Sequence, residues 1–144
     1  MSLLNISKNQ ITNASFPFLK AMLESNDSLE ELYLHWNSIK GFGGAEIFKA
    51  LQNNKTLKVL DFSYNLLGCG GAQLTLVLKD FFADNKALLH LDLSANSFSL
   101  ADCESISEFL KSNHSIYGFH FSGNFGFIDS KGFLVIQNDM RNFH

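Results

Sequence analysis

The chain contains 144 residues, with a net charge of −3 and a single arginine, Arg141. This length supports one domain with a continuous core, and a hydrophobic content of 46% is typical of a globular chain. The small negative charge argues against nucleic acid and anionic membranes as partners, because both need a dense basic surface, and no apolar segment approaches the ~20 residues that span a bilayer.

One apolar pattern that ends in an asparagine recurs along the chain. Its asparagines, Asn9, Asn37, Asn65, Asn96 and Asn124, lie 28, 28, 31 and 28 residues apart. The pattern is complete in Leu29-x-x-Leu32-x-Leu34-x-x-Asn37-x-Ile39 and recurs in residues 57–67 and 88–98. Self-similarity at this period predicts about five repeats, starting near residues 1, 29, 57, 88 and 116. We expect a single domain over residues 1–144, with a degenerate C-terminal cap at about 125–144.

Each copy predicts a short strand followed by a turn. In the second copy, alternation places Leu32 and Leu34 on one face of the strand, and Glu31, Tyr33 and His35 on the other. The asparagine amide can satisfy backbone groups of the turn that would otherwise be buried without partners. Stacked over successive copies, the asparagines would form a ladder, so we interpret all five as structural.

Helical segments separate the predicted strands. The first helix is predicted to begin near Ser15, a suitable N-cap, with Pro17 in its first turn. In the next, Ile47 and Leu51 lie at i and i+4 on one face. The last helix is predicted over about residues 130–140, carrying Phe133, Leu134 and Ile136.

The motif Leu-x-x-Leu-x-Leu-x-x-Asn-x-Ile-x-x-x-Gly in residues 29–43, with its copy in residues 57–71, resembles the ribonuclease-inhibitor-like subfamily of leucine-rich repeat proteins. Cys103, where a helix opens, also fits that subfamily. The resemblance implies an α/β solenoid, with a curved parallel sheet on the concave side and helices on the convex side. The family includes enzyme inhibitors, innate-immune sensor domains, GTPase-activating proteins and cytoskeletal or ciliary scaffolds, so the fold does not name a function.

In such a stack, the positions four, two and one before each asparagine form columns on the concave face. Tyr33, His35, Trp36 and Tyr64 then form an aromatic cluster, which is the composition of a binding hot spot. In the alternative interpretation, Trp36 and Tyr64 fold over the strand ends and pack locally.

A pair of carboxylates also stands out in these columns. Asp61 and Asp92 are neighbours, followed by His120, with His90 one column away. Two adjacent carboxylates without an obvious cation repel each other. Three interpretations stay open: a solvated face, contact with a basic partner, or a divalent metal held with the histidines. We predict no metal site, because strand residues of this kind are often solvated. The Gly-rich stretches 41–44 and 68–71 recur at the repeat period and are turns, not phosphate cradles, so we predict no cofactor either.

Cysteine content and the N-terminus bear on the compartment. No basic and apolar leader opens the chain, which predicts an intracellular protein, in the cytoplasm or associated with the cytoskeleton or a cilium. Cys69 and Cys103 are then expected to be reduced core residues. We attribute five glycosylation sequons to the asparagine- and serine-rich composition: Asn5, Asn13, Asn26, Asn54 and Asn113.

The two ends differ from the middle of the chain. Met1 takes the position of the first leucine of a repeat, so the first strand would leave an apolar edge open. Either the chain is part of a longer repeat protein or another chain covers that edge. Phe125 and Phe127 have no repeat position, and we interpret them as part of a cap or as a second contact surface.

Together these patterns predict a non-catalytic protein–protein interaction module, or scaffold, that binds a protein partner through the concave face. The candidate contact residues are Tyr33, His35, Trp36, Asp61, Tyr64, Asp92 and His120. No nucleophile-elbow, zinc-protease or phosphate-loop motif occurs. Two alternatives are a structural subunit of a large cytoskeletal or axonemal assembly and a GTPase-regulating leucine-rich-repeat protein.

Overall fold

Five short strands form one parallel sheet in the computed structural model, which describes residues 2–11, 13–70, 73–131 and 134–136. The strands pair in chain order: β1 (Leu3–Asn5), β2 (Glu31–Tyr33), β3 (Val59–Asp61), β4 (His90–Asp92) and β5 (Gly118–His120). A helix follows each of the first four strands: α1 (Phe16–Ser25), α2 (Gly41–Leu51), α3 (Gln73–Asp84) and α4 (Leu100–Leu110). The α/β class and the parallel sheet are thus as predicted.

The register of the sheet follows the repeat interval. Leu60 pairs with Leu32 on one side and with Leu91 on the other. Equivalent residues of successive copies therefore lie side by side, about 4.8 Å apart. The column of strand residues predicted from alternation is present, since its members pair in turn: Asn5, Tyr33, Asp61, Asp92 and His120.

The core lies between the sheet and the helices. Leu32 and Leu34 are fully buried, as alternation predicts, and belong to one continuous apolar cluster with the inward faces of the helices. The ring of Phe48 in α2 contacts those of Phe62 and Phe81, with centroids 5.7 and 4.9 Å apart. Because burying such a side chain contributes roughly 1.5–3 kcal/mol, this shared layer is the main source of cohesion between repeats.

The predicted asparagine ladder is present. Asn65 donates through Nδ2 to the carbonyls of Leu34, Phe62 and Ser63, and its Oδ1 accepts from the N–H of Ile39. Leu34 and Ile39 belong to the preceding copy, so this one side chain joins two repeats. Equivalent bonds to the preceding copy are made by Asn37, Asn96 and Asn124.

A second asparagine ladder runs along the opposite edge of the sheet, where helices lead into strands. In each of these turns the asparagine Oδ1 accepts from the N–H groups two and three residues ahead, at Asn26, Asn54, Asn85 and Asn113. The Nδ2 of Asn113 donates to the carbonyls of Phe82 and Asn85 in the preceding copy. The asparagines of three sequons, Asn26, Asn54 and Asn113, therefore stabilise turns of the fold, and attributing these sequons to composition was wrong.

The helix predicted over residues 130–140 is wrong within the described residues. Leu134–Ile136 is a strand, β7, antiparallel to β6 (Gly126–Ile128). The run Leu134-Val135-Ile136 includes two β-branched residues, which favour a strand once a partner strand is available. Strand β7 packs against α4, and Leu134 contacts the core. Phe133 and residues 137–144 lie outside the described part of the chain.

Three smaller expectations have different outcomes. Ser15 precedes α1 as predicted, but it is the last residue of a 3-10 turn and its side chain makes no capping hydrogen bond. Both cysteines are free thiols; Cys103 is a core residue whose burial raises its pKa to about 11, whereas Cys69 is only partly buried. None of the helices in the described residues is both long and apolar enough to cross a bilayer.

Candidate protein-interaction face

One side of the five-stranded sheet faces away from the helices, and we call it the open face. It is formed by the residues two, four and six positions before each ladder asparagine, because alternation sends the intervening leucines into the core. The open face contains a shallow depression of about 220 Å³. Four of the predicted contact residues line it: Tyr33, Asp61, Asp92 and His120. The rest of its lining is His90 and three other residues of β3 and β4.

Trp36 and Tyr64 stack on each other where β2 and β3 end, and we call them the aromatic pair. Their ring centroids are 4.2 Å apart and their planes differ by 8°. Trp36 remains 52% exposed and Tyr64 46% exposed. Both interpretations of these residues are therefore partly met, because the rings pack locally and still present about half of their surface. Tyr33 and His35 make no ring contact with them in the described residues, so the cluster contains two rings and not four.

The backbone of the aromatic pair is left-handed. The residue just before each ladder asparagine has a positive φ in all five copies, and we call these residues the edge column: Lys8 (60°), Trp36 (57°), Tyr64 (54°), Ala95 (53°) and Gly123 (78°). The turn requires this conformation so that the asparagine can point inward. A side chain with a Cβ makes it unfavourable by roughly 1–2 kcal/mol per residue, and bulky residues are rare there.

Asp61 is held in place by its neighbours. Its Oδ1 accepts from the N–H and the Oγ of Ser63, at 3.0 and 2.6 Å, and its Oδ2 lies 3.2 Å from Nδ1 of His35. His35 Nδ1 also lies 2.9 Å from the Oγ of Ser7. Asp61 therefore has polar partners that the sequence interpretation lacked. His35, which contacts this carboxylate, directly precedes Trp36 in the chain.

Asp92 has fewer partners than Asp61. Its Oδ1 accepts from the N–H of Ser94 at 2.9 Å, and no ion pair with it is found among the described residues. His120, its neighbour in the sheet, is exposed. No group of three or more metal-binding side chains is found in the described part of the chain, so the metal interpretation of these residues gains no geometric support.

The column six positions before each asparagine also lies on the open face, although none of its residues is among the candidate contacts. Glu31 lies in it and accepts a 2.7 Å hydrogen bond from the hydroxyl of Tyr33; this bond, with burial, raises the pKa of Tyr33. His90 lies in the same column and contacts Tyr117 edge-to-face, at 4.7 Å. Alternation places Glu31 on the outward face and His90 one column from the carboxylates, but neither is among the predicted contact residues.

Comparisons with known proteins agree with the repeat interpretation. No protein family model matches the chain. It is 30% identical over 122 residues, 84% of its length, to NACHT, LRR and PYD domains-containing protein 13 of Homo sapiens. It is 31% identical over 118 residues, 78% of its length, to a protein phosphatase 1 regulatory subunit 37 homolog of Caenorhabditis elegans. The chain spans only 11% and 12% of these two relatives.

Two solved structures share the fold. The first, titled leiomodin-1 actin-binding site 2, matches with a TM-score of 0.70 and 21% identity, over 84% of this chain and 70% of that one. The second, the tropomodulin C-terminal domain of Caenorhabditis elegans, matches with a TM-score of 0.63 and 16% identity, over 78% and 66%. At these identities the likeness shows the fold alone. The ribonuclease-inhibitor-like subfamily stays a prediction.

Proposed function

We propose that this chain is a non-catalytic protein-interaction module, a scaffold element whose protein partner binds the open face and the adjoining aromatic pair, on the concave side of the predicted solenoid. The observation that carries the proposal is the aromatic pair. Two large rings are half-exposed at backbone positions that favour glycine, where they destabilise the fold relative to glycine or asparagine. Residues of this kind are explained more readily by a binding role than by stability.

An energy comparison supports this interpretation. Ring stacking contributes about 0.5–1.5 kcal/mol, while two left-handed non-glycine residues cost about 2–4 kcal/mol together. The stack alone therefore does not offset the backbone conformation. Aromatic side chains that lie partly buried beside a polar surface are typical binding hot spots, and each is worth about 2 kcal/mol or more to a complex.

The shape of the open face favours a macromolecule over a small ligand. The depression of about 220 Å³ is shallow and lies on a sheet surface, whereas small-molecule sites are usually enclosed clefts of ~300–1,000 Å³. The neighbouring strands hold each other through the ladder asparagines, so the surface is ordered before binding. A preorganised surface lowers the entropy that binding must remove.

The test is affinity capture from the native source, followed by mass spectrometry, with a Trp36→Asn/Tyr64→Asn double variant. Asparagine tolerates the left-handed backbone, so the fold is expected to survive. The matched control is Phe18→Ala/Phe42→Ala, which removes two exposed aromatic rings from α1 and α2. We expect partners to be lost from the first variant and kept by the control. Partners kept by the first variant and lost from the control would place the contact on the helices and contradict the proposal.

A second candidate is a structural subunit of a cytoskeletal assembly. The structural likeness to the leiomodin-1 and tropomodulin domains favours it, the first of these being titled an actin-binding site. We would measure co-sedimentation of the purified chain with actin filaments, with the aromatic-pair double variant as comparison. Sedimentation of the wild type alone would support this candidate and place the contact on the open face. Absence of both from the pellet would remove actin as the partner.

A further inference from the structure

We infer that the partner presents an arginine side chain to the open face, where it pairs with Asp92 and stacks on Tyr64. This inference rests on the proposed function, because it names the chemistry of the partner at that face. Three features carry it: the charge of the open face, the free surface of the aromatic pair and the small residues that follow Tyr64 in the edge column.

The open face is acidic and carries no permanent cation. In the columns two, four and six positions before the ladder asparagines, the charged residues are Glu31, Asp61 and Asp92, and none is lysine or arginine. Glu31 accepts from Tyr33 and Asp61 is engaged by His35 and Ser63. Asp92 has a backbone N–H as its hydrogen-bond partner and no ion pair in the described residues. Charge complementarity therefore points to a cationic group beside Asp92.

The aromatic pair adds a second recognition element next to this carboxylate. Stacking on Trp36 uses one face of the Tyr64 ring. The edge column continues past Tyr64 with Ala95 and then Gly123, so no side chain longer than a methyl group follows that ring in the column. Ser94 joins the two elements, because its N–H donates to Oδ1 of Asp92 at 2.9 Å and its carbonyl accepts from the N–H of Tyr64 at 2.9 Å.

Arginine suits this arrangement better than lysine. A guanidinium is planar, donates two parallel hydrogen bonds to one carboxylate and stacks flat on an aromatic ring. Cations over a tyrosine or tryptophan face are also attracted by the ring quadrupole. An ammonium group lacks the planar fork, so it can pair with Asp92 or contact Tyr64 but matches both less well.

The single tryptophan makes the test direct, since its fluorescence reports only on Trp36. The probes are three glycine-spaced hexapeptides that contain arginine, lysine or citrulline at the same positions. We expect the arginine peptide to change the Trp36 emission saturably, the lysine peptide to bind more weakly and neutral citrulline to have no effect. The arginine affinity should fall as salt rises. An equal response to citrulline, or no response to arginine, would overturn the inference.

Two variants locate the contact. Asp92→Asn keeps the size and the Oδ1 acceptor for Ser94 but removes the charge, and we expect about tenfold weaker arginine-peptide binding. Asp80→Asn removes an equal charge from an exposed position of α3 and should leave binding unchanged. Captured partners lost from the aromatic-pair variant but kept by Asp92→Asn would uphold the proposed function and contradict this inference. Partners kept by both variants would contradict both.

Discussion

The edge column shows one backbone conformation with two kinds of residue. In the fourth and fifth copies the left-handed position holds small residues, Ala95 and Gly123, of which only the glycine avoids the cost of a Cβ. In the second and third copies it holds Trp36 and Tyr64, which suit it poorly. The turn and its ladder asparagine are equivalent in both halves, so the fold does not require aromatic rings. The ladder asparagines therefore stabilise the fold, whereas we attribute the rings of Trp36 and Tyr64 to the function of the surface.

The two halves also differ in how much side chain they present at the edge column. Gly123 shows how tight the column is, because a Cβ at that position would lie 3.2 Å from the Cα of Ala95. The last two copies are therefore closely packed at the edge. The aromatic pair instead keeps about half of its surface exposed.

The largest loss of stability is expected from substitution of the ladder asparagines, which support the turns in both halves of the chain. Asn65→Ala and Asn96→Ala should each reduce the free energy of unfolding by about 1–3 kcal/mol, because each leaves buried backbone groups of two repeats without partners. Urea denaturation measures this loss. Comparable losses in the two variants would show that the contribution of a ladder asparagine does not depend on whether tyrosine or alanine precedes it. An unchanged midpoint for either would contradict the ladder account.

A bulky residue in the small half should be nearly as harmful. Gly123→Val is expected to reduce the free energy of unfolding by about 1–2 kcal/mol, because φ is +78° and the Cβ would crowd Ala95. The control is Gly123→Asn, which tolerates the left-handed region and should lose less. Thermal denaturation of the two variants side by side tests the order; equal stability of the valine variant and the wild type would remove the conformational argument.

The aromatic half should respond differently. Trp36→Asn and Tyr64→Asn are expected to stay within about 1 kcal/mol of the wild type, because relief of the left-handed backbone opposes the lost stack. The same urea titration measures both. A loss of several kcal/mol in either variant would mean that the rings serve the fold, and the comparison between the two halves would fail.

Ala95→Gly should have the smallest effect. Relief of the backbone at φ +53° opposes the greater chain entropy of glycine in the unfolded state, so the change is expected to be below about 0.5 kcal/mol. Because the substitution removes only a methyl group, the arginine-peptide affinity should also stay unchanged. A marked loss of that affinity would show that the Ala95 methyl group itself forms part of the site.

The sequence predicted what depends on period and alternation. The interval between asparagines predicts the sheet order, the register and the first ladder, because each repeat contacts its neighbours in the same way. The second ladder has the same spacing, from Asn26 to Asn113, and was missed because sequons offered another explanation. The C-terminal strands were missed because a run such as Leu134–Ile136 becomes a strand only through pairing with β6.

The candidate site was only partly predictable. Alternation identified Tyr33, Asp61, Asp92 and His120 as one column, which the register confirms. It could not show that His35 contacts Asp61, since side-chain rotamers across strands decide that contact. The left-handed edge column is also invisible to periodicity. Gly123 at the fifth position was its only sequence signal.

The most direct test of the central claim is the amount of partner that the Trp36→Asn/Tyr64→Asn protein captures, compared with wild type at equal folded concentration. The account predicts a loss of about 30-fold or more in affinity, because two hot-spot residues are removed from a fold that stays intact. Capture of the same partners with undiminished affinity would contradict the claim that the open face and its aromatic pair bind the partner.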